Sequence, residues 1–486
     1  MDTQKLRQRI LDLAIRGKLV PQDPNDEPAS VLLDRIRAEK ERLIAEGKIK
    51  RPKAKKSTDK SHYQNFTPPF DIPASWQWVK IDEIASSNIG LTYSPQDIVD
   101  DGVPVYRSNN IRDNKICLDD IVYVSCPILE KQYLNNGDLL ICARNGSRRL
   151  VGKNVIIENL ERPTSFGAFM AVCRSCYNPW IKLLLDSAYF NSYLDESNST
   201  AINQITQKML LDFILPLPPK EEQSRIISAF HSIVGVIDGI DQSKKNLSES
   251  IANLKSKILD LAMQGKLVPQ DPADEPAAEM LRRVNPKAKI ITDNPQCRNL
   301  PLGWTLCQLR DLCSFLSRGK SPKYSETPNQ YPVFAQKCNL KDGDISLSQA
   351  RFLDETTIPK WPDKYRLRDG DVLVNSTGTG TVGRTRIFKS EYLGDYPFVV
   401  PDSHVSVVRS FDEIESTFIF YSLYCQDGQR YFAENLAGST NQKELYIDVI
   451  GDRTIMLPPL NEQKRIVAKI EELYSVLDKI EASLQS

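Results

Sequence analysis

LRQRILDLAIRGKLVPQDPNDEPA, residues 6–29, recurs as LKSKILDLAMQGKLVPQDPADEPA, residues 254–277, with 18 of 24 positions identical. A second repeated block follows a different offset. Pro218-Pro219, Glu222-Gln223 and Arg225-Ile226 recur 240 residues later as Pro458-Pro459, Glu462-Gln463 and Arg465-Ile466. Two such matches indicate an internal duplication, and this duplication decides the fold.

The order of the repeated pieces indicates a circular permutation. The central copy runs without interruption from about residue 218 to residue 276, whereas the C-terminus carries only its first part and the N-terminus only its second. Both chain ends therefore fall at the same point of the central copy. We expect residues 1 and 486 to lie close in space.

The central copy also has a heptad pattern. Its apolar residues alternate in steps of four and three, interrupted only by Lys244, which predicts one helix of about 35 residues, roughly 50 Å long. The pattern comprises Ile226, Phe230, Ile233, Ile237, Ile240, Lys244, Leu247, Ile251, Leu254, Ile258 and Leu261.

Both chain ends carry the same apolar pattern. The C-terminal part has Ile466, Ile470, Leu473, Leu477, Ile480 and Leu484, and the N-terminal part has Leu6, Ile10 and Leu13. An apolar stripe needs a partner, so we predict an antiparallel pair of long helices, one continuous and one assembled from both ends. Gly17 and Gly265 stand where left-handed caps would end these helices, ahead of VPQDP runs that cannot continue them. A charged stretch, DRIRAEKERLIAEGK, adds a further predicted helix after the first copy.

Two longer segments, 66–216 and 298–456, separate the helical blocks. They open alike, with IPASWQWVKIDEIA at 72–85 and LPLGWTLCQLRDLC at 300–313, and each continues with β-rich sequence. Beyond a few such landmarks they differ, which is typical of one scaffold carrying two sets of loops. The predicted segments are 1–65, 66–216, 217–297, 298–456 and 457–486.

Composition excludes several classes of protein. A chain of 486 residues with 41% hydrophobic content is typical of a globular protein with several domains. The 63 basic residues balance 63 acidic ones, so any nucleic-acid site must come from local clustering. We find no apolar run long enough to cross a membrane and no secretory signal, and therefore expect ten reduced cysteines in a cytoplasmic protein. With three histidines and a single CxxC, at Cys173 and Cys176, a metal site lacks ligands.

The repeats GKLVPQDP…DEPA and LPP…EQ-R-I, with two β-rich segments between them, resemble the specificity subunit of a type I restriction–modification system over essentially the whole chain. The resemblance implies an α/β (α+β) fold in which a long antiparallel coiled-coil helix pair separates two target-recognition domains. Each domain would read one half of a bipartite target in double-stranded DNA, and the helices would set the gap and dock partners. The implied partners are two methyltransferase subunits and restriction/motor subunits, with no membrane.

The resemblance also implies that this chain is not an enzyme and binds no cofactor. S-adenosylmethionine, ATP and Mg would belong to the partner subunits. Neither the DNA sequence recognised, the gap length nor the presence of a nuclease partner follows from the sequence.

Basic and amide side chains in loops supply candidate DNA contacts, because Lys and Arg bind phosphates and several polar side chains read base edges. In the first recognition segment, the stretch 140–157 contains four basic residues and no acid, and predicts a strand–loop–strand. The candidates there are Arg144, Asn145, Ser147, Arg148, Arg149 and Lys153, with Arg107, Asn109 and Asn110 after the VPVY strand. An exposed hairpin without a ligand, or ordinary turn chemistry, explains the same residues.

The second recognition segment offers candidates at corresponding places, for which plain β-turns or solvated loops remain the alternative. They are Lys320, Lys323, Lys337, Asn339, Ser376, Thr377, Thr379, Arg384 and Arg386. A further basic run at 48–60 has seven Lys or Arg against one Asp, and predicts either phosphate contacts or a solvated linker.

Three motif-like strings do not indicate catalysis. Gly378, Gly380 and Gly383 match GxGxxG but precede a predicted strand rather than a helix, so no dinucleotide site is predicted. Gly319-Lys320-Ser321 lacks the first glycine of a P-loop, and Asn178-Pro179-Trp180 lacks the second proline of an amino-methyltransferase motif. Two alternatives stay open: a coiled-coil adaptor that binds proteins, and a methyltransferase or nuclease with fused recognition domains.

Overall fold

The computed structural model describes residues 2–47, 66–197, 204–295, 299–341, 343–438 and 443–485. The chain forms two compact units, unit 1 (Met1–Ser243) and unit 2 (Lys244–Ser486). The basic run at 48–60 lies outside the described residues. Within the described ranges, no helix combines the length and apolar content needed to cross a membrane.

Unit 1 holds most of its helices at its two sequence ends and most of its strands between them. The helices that begin in unit 1 are α1 (Thr3–Ile15), α2 (Ala29–Ala45), α3 (Ile81–Ile84), α4 (Asn178–Leu185), α5 (Ala188–Ser197), α6 (Gln207–Asp212) and α7 (Lys220–Met263). The strands are β1 (Gln77–Lys80), β2 (Ser86–Ile89), β3 (Ile98–Val99), β4 (Val103–Tyr106), β5 (Ile111–Arg112), β6 (Lys115–Ile116), β7 (Val122–Val124), β8 (Leu139–Cys142), β9 (Asn154–Ile156), β10 (Ser165–Phe166), β11 (Met170–Arg174) and β12 (Ile214–Leu217).

Two four-stranded sheets form the centre of unit 1. One has the order β2-β11-β8-β9 and is antiparallel throughout, and the other has the order β10-β4-β7-β3 with a parallel β10–β4 pair. Strand β1 pairs with β12, so the first and last strands of the β-rich segment of unit 1 lie side by side. Trp180, Phe190 and Phe213 are fully buried where α4, α5 and the β12 region pack together.

Unit 2 repeats this plan. The helices that begin in it are α8 (Ala277–Val284), α9 (Ser416–Tyr424), α10 (Gln426–Glu434), α11 (Ile447–Asp452) and α12 (Leu460–Gln485). The strands are β13 (Ile290–Ile291), β14 (Thr305–Gln308), β15 (Cys313–Arg318), β16 (Pro332–Phe334), β17 (Arg351–Phe352), β18 (Val372–Asn375), β19 (Thr385–Ile387), β20 (Val400–Pro401), β21 (Val405–Ser410) and β22 (Thr454–Leu457).

The main sheets of unit 2 correspond to those of unit 1, although β17-β16-β20 has three strands where β10-β4-β7-β3 has four. The order β15-β21-β18-β19 corresponds to β2-β11-β8-β9, and the parallel β16–β20 pair corresponds to β4–β10. The antiparallel β14–β22 pair likewise corresponds to β1–β12. The duplication seen in the helical sequences therefore extends through the two β-rich segments, although these scarcely agree in sequence.

In unit 1, the N-terminal helix contacts the first part of α7. Arg7 donates two hydrogen bonds to α7, from Nη1 to Asp238 Oδ1 at 2.8 Å and from Nη2 to Asp241 Oδ2 at 2.6 Å. In unit 2, Lys255 Nζ lies 2.6 Å from Asp478 Oδ1, and the Tyr474 hydroxyl donates to the Lys255 carbonyl at 2.9 Å. Charged side chains at the margins of the apolar stripes thus join α7 to each terminal helix.

The predicted apolar seam of α7 is wrong at two positions. Ile226, Ile237 and Ile251 are buried, but Leu247 is 41% exposed and Leu254 is 52% exposed. With about 100° of rotation per residue, Leu254 lies roughly 90° away from the buried line through Ile251, Leu259 and Ala262. A strict heptad therefore misplaces the buried face in this part of the helix.

The predicted helix ends are confirmed, since Gly17 and Gly265 follow α1 and α7 with φ of 66° and 65°. The amide after each glycine bonds back to a helical carbonyl, Lys18 to Leu13 at 2.9 Å and Lys266 to Leu261 at 2.8 Å. The predicted charged helix is α2, which at 17 residues is longer than its counterpart α8 with 8.

Candidate nucleic-acid interface

Three loops of unit 1 converge at the ends of neighbouring strands. We call them the β4 loop (107–110), the β8 loop (143–149) and the β11 loop (167–169). Asn145 Nδ2 donates to Ser108 Oγ at 3.2 Å, which joins the first two loops. The amides of Ala143 and Arg144 both donate to the Phe169 carbonyl, at 2.9 and 3.0 Å, which joins the second and third.

The predicted strand–loop–strand at 140–157 is present, with Leu139 of β8 paired to Ile156 of β9. Within it Arg144, Ser147 and Arg149 are exposed, and Lys153 is half-buried. Arg148 is tied to Asp195 at 2.6 Å. Arg144 and Arg149 make no ion pair with a described residue, so both guanidinium groups are available to an anionic ligand.

The β4 loop is held by one acidic residue, Asp120, as well as by turn hydrogen bonds. Arg107 Nη2 lies 3.2 Å from Asp120 Oδ2, and Asn109 Nδ2 donates to the same oxygen at 2.6 Å. Arg107 therefore contributes less positive charge to this surface than its sequence suggests. Asn109 remains exposed.

The corresponding loops of unit 2 converge in the same way. They are the β16 loop (335–339), the β18 loop (376–384) and the β21 loop (402–404). Thr381 Oγ1 donates to Gln336 Oε1 at 3.3 Å, which joins the first two. Thr377 Oγ1 lies 2.8 Å from His404 Nδ1, which joins the second and third.

The candidate side chains of unit 2 differ in their availability. Lys337, Thr379 and Lys323 are exposed, although Lys323 Nζ pairs with Asp354 Oδ2 at 2.6 Å. Lys320 Nζ lies 3.9 Å from the Tyr365 ring centre and donates to the Lys360 carbonyl at 3.2 Å. Arg384 donates to the Asn339 carbonyl at 2.6 Å, which leaves Lys337 as the cation with the fewest contacts among the candidates of this unit.

Four candidates are buried, and their positions argue against direct contacts with DNA. Asn110 is 0% exposed and holds its own loop through the carbonyls of Cys117 and Asp119. Asn339 and Ser376 are equally buried; Asn339 bonds to the Asn375 side chain and Ser376 bonds to the Ser406 hydroxyl. Arg386 is also buried and donates to the carbonyls of Thr385 and Leu340. Asn110 and Arg386 bond to backbone carbonyls, and Asn339 and Ser376 bond to neighbouring side chains, so these groups serve contacts inside the protein that sequence does not distinguish from binding.

An ion pair holds the β8 strand of unit 1, and its counterpart holds β18 of unit 2. Arg174 lies 3.1 Å from Asp138 Oδ2, and Arg409 lies 2.7 Å from Asp371 Oδ1. Burial raises the pKa of both aspartates, and the arginine opposes that shift in each case. These ion pairs hold one end of β8 and of β18, and the β8 and β18 loops follow at the other end of the same strands.

Glycine is required where the two sheets of each unit meet. At Gly90 a Cβ would collide with the carbonyls of Phe166 and Gly167, and at Gly319 it would collide with those of Pro401 and Asp402. This close approach explains the glycine of the string Gly319-Lys320-Ser321. Gly378, Gly380 and Gly383 lead into strand β19, so the prediction that a strand rather than a helix follows these glycines is confirmed.

The same three loops occupy equivalent places in the two units. Arg144 forms an antiparallel bridge with Gln204, and Thr377 forms one with Glu444. Leu91 forms a parallel bridge with Gly167, and Lys320 forms one with Asp402. One backbone frame thus presents two different sets of side chains.

Two exposed side chains in these loops were absent from the sequence candidates. Phe169 is 62% exposed with the Arg144 guanidinium 5.5 Å from its ring centre, and His404 is exposed at the start of β21. The apolar run FGAFMAVC around Phe169 looks like buried strand, so sequence gave no signal of its exposure. Among the described residues, no group of three or more His, Cys, Asp or Glu side chains is placed to hold a metal ion.

Known proteins are similar to this chain in sequence and in fold. The EcoEI type I restriction enzyme specificity subunit of Escherichia coli is 28% identical over 563 aligned positions, which cover 99% of this chain and 91% of that protein. The corresponding EcoAI subunit of Escherichia coli is 26% identical over 98% of this chain and 90% of its own length. A solved structure described as "Structural basis underlying complex assembly and conformational transition of the type I R-M system" matches in fold, with a TM-score of 0.58, 19% identity, and 86% of this chain and 94% of that chain covered.

A family model described as "Type I restriction modification DNA specificity domain" matches residues 73–249 and 301–486. These two matches include the three loops of each unit. The prediction of a mixed helix and strand fold with two recognition domains is confirmed at this level. The chain belongs to the type I restriction–modification DNA specificity family.

Proposed function

We propose that this chain is the specificity subunit of a type I restriction–modification complex and that each unit reads one half of a bipartite DNA target. The observation that carries the proposal is the duplicated loop frame. Arg144, Gln204 and Phe169 stand in unit 1 where Thr377, Glu444 and His404 stand in unit 2. A shared frame with different side chains is what two readers of different base sequences need.

The candidate contacts form the working surface of this proposal. In unit 1, Arg144, Arg149 and Lys153 would bind phosphates. The further polar contacts of this unit would be Asn109, Asn145 and Ser147. In unit 2, Lys337 would bind phosphates. The further candidate contacts of this unit are Lys320, Thr377, Thr379 and Arg384. The chain as a whole is neutral, so affinity depends on such local clusters.

The helices have a different part in the proposal. We assign to α7, α1 and α12 a circularly permuted antiparallel pair that sets the unread gap between half-sites and docks two methyltransferase subunits. The family relationship and the helix contacts within each unit support this assignment. The five predicted segments, with boundaries at residues 65, 216, 297 and 456, remain our proposed domain division.

Catalysis and cofactors belong to the partners in this scheme. The methyltransferase subunits would supply S-adenosylmethionine chemistry, and the restriction/motor subunits would use ATP and Mg in the cytoplasm. The contribution of this chain is to hold double-stranded DNA in one register by contacts from its two sets of loops.

Methylation mapping tests the function. Adenine methylation across the genome is compared in cells with and without this chain. A bipartite methylated sequence present only with the chain is expected. An unchanged methylation pattern would contradict the proposal and favour a protein-binding adaptor, which should also show no DNA preference in gel-shift competition with methyltransferase present.

The ruler role is tested separately. One heptad is inserted into α7 and one into the paired terminal helix, and the methylated sequence is mapped again. The gap should lengthen while each half-site keeps its bases. An unchanged gap would refute the ruler without affecting half-site reading.

A further inference from the structure

The β11 and β21 loops end with two equivalent residues, one of them apolar and the other polar. Phe169 immediately precedes β11, and His404 immediately precedes β21. Both follow the short strand that pairs in parallel with the β4 or β16 strand, in the same register: Phe166 with Tyr106, and Pro401 with Phe334. The two side chains therefore start from the same point of the shared frame.

The backbone holds Phe169 in place although its ring is exposed. Its carbonyl accepts from the amides of Ala143 and Arg144 at 2.9 and 3.0 Å. The ring is 62% exposed, and the Arg144 guanidinium lies 5.5 Å from its centre. An exposed apolar ring beside a cation offers a hydrophobic contact next to a phosphate-binding group.

His404 is held by its neighbours in a comparable way. Its amide donates to Asp402 Oδ1 at 2.8 Å, and its Nδ1 lies 2.8 Å from Thr377 Oγ1. The Nε2 atom has no hydrogen-bond partner among the described residues. The ring is thus oriented by one nitrogen and leaves the other for a ligand.

We propose that Phe169 and His404 are matched base-contacting residues, one for each half-site, the first making an apolar contact with a base and the second a hydrogen bond. This inference rests on the proposed function, because it names positions that determine specificity within it. Apolar side chains discriminate by contact with a base, and hydrogen-bonding side chains by the donor and acceptor pattern of its edge. The asymmetry of the target would then arise in part from one substitution on a duplicated frame.

The test uses the full-length chain together with its methyltransferase subunits and a library of random-sequence DNA duplexes. Bound duplexes are sequenced for the wild type, Phe169→His and His404→Phe. Phe169→His should change the preference at one base position of one half-site by about fivefold or more, the range of a single base contact. His404→Phe should do the same in the other half-site only.

Further variants separate specificity from stability. Phe169→Leu keeps an apolar side chain without the ring and should retain part of the preference. Leu129→Ala, which removes a side chain 60% exposed outside the three loops, should leave both half-sites unchanged. Thermal unfolding of every variant should stay near that of the wild type, because the replaced side chains are exposed.

The outcomes distinguish this inference from the proposed function. A wild-type chain that enriches no bipartite sequence contradicts the function itself. A wild-type chain that enriches one, with both half-sites unaltered in Phe169→His and His404→Phe, overturns the base-contact assignment alone. A uniform loss of binding without changed base preferences overturns it as well.

Discussion

The indole Nε1 of Trp76 donates a 3.0 Å hydrogen bond to Oε2 of Glu222, 146 residues later in the chain. Gln22 Nε2 donates to the other oxygen of the same carboxylate at 2.6 Å. Glu222 is only 1% exposed, so this carboxylate joins three distant parts of unit 1 in its interior. Unit 2 repeats the arrangement in part, with Gln270 Nε2 at 2.9 Å from Glu462 Oε1.

Replacing Trp76 by phenylalanine should destabilise unit 1. The change keeps an aromatic ring but leaves a buried carboxylate oxygen without its donor, which costs about 1–3 kcal/mol. Urea unfolding followed by circular dichroism measures the loss. Trp78→Phe is the matched control, because the Trp78 indole has no hydrogen bond within the described residues; equal losses in both variants would contradict a special role for Trp76.

The stability contribution of Glu222 should depend on pH. Burial raises the pKa of Glu222 above its ordinary value of 4.5, although Trp76, Gln22 and Arg225 oppose the shift. A raised carboxyl pKa means that the fold prefers the protonated form, so this contribution is complete below the ordinary value and is lost as pH rises through the raised one. The free energy of unfolding of the wild type relative to Glu222→Gln should therefore fall as pH increases across that window.

A series of urea unfolding curves from acid to neutral pH checks the sign. Glu221→Gln, at the exposed neighbouring position, serves as the control and should show no such trend. If the free energy of unfolding of the wild type relative to Glu222→Gln instead grows with pH, the hydrogen bonds to Glu222 outweigh its burial.

Replacing each of two glycines by alanine should change the stability of the protein in opposite directions. Gly90→Ala places a Cβ against the carbonyls of Phe166 and Gly167 and should cost about 1–3 kcal/mol or more. Gly239→Ala lies inside α7 with open space around it and should stabilise by up to about 1 kcal/mol through helix propensity. Thermal unfolding midpoints compare them, and a neutral Gly90→Ala would contradict the close approach of the two sheets.

Removing Arg149 should weaken DNA binding without changing the sequence preferred. A phosphate-binding arginine contributes to affinity through counterion release, so Arg149→Ala should lower the salt dependence of binding by about one unit of slope. Binding to the mapped target is measured at several salt concentrations. Arg9→Ala, an exposed arginine on α1, is the control; the same reduction in both variants would place Arg149 outside the interface.

Sequence alone determined the duplication, the helix ends and the family. These depend on local signals, namely repeated letters, glycines that adopt positive φ and apolar periodicity, which do not need long-range contacts to be read. It also located the loops correctly, since the strand–loop–strand at 140–157 and the turn near 376–384 are where the sequence predicts them.

Only the tertiary structure decided which side chains of those loops are available. Asn110 and Asn339 carry the same amide as Asn109, yet the first two are buried and the third is exposed. Asn110 donates to backbone carbonyls of its own loop, and Asn339 donates to the Asn375 side chain. The reverse holds for Phe169, which lies in an apolar run and would be expected to be buried. Its backbone is bonded to the β8 loop and its side chain is exposed. Burial and exposure result from contacts between residues far apart in the chain, and local sequence does not encode them.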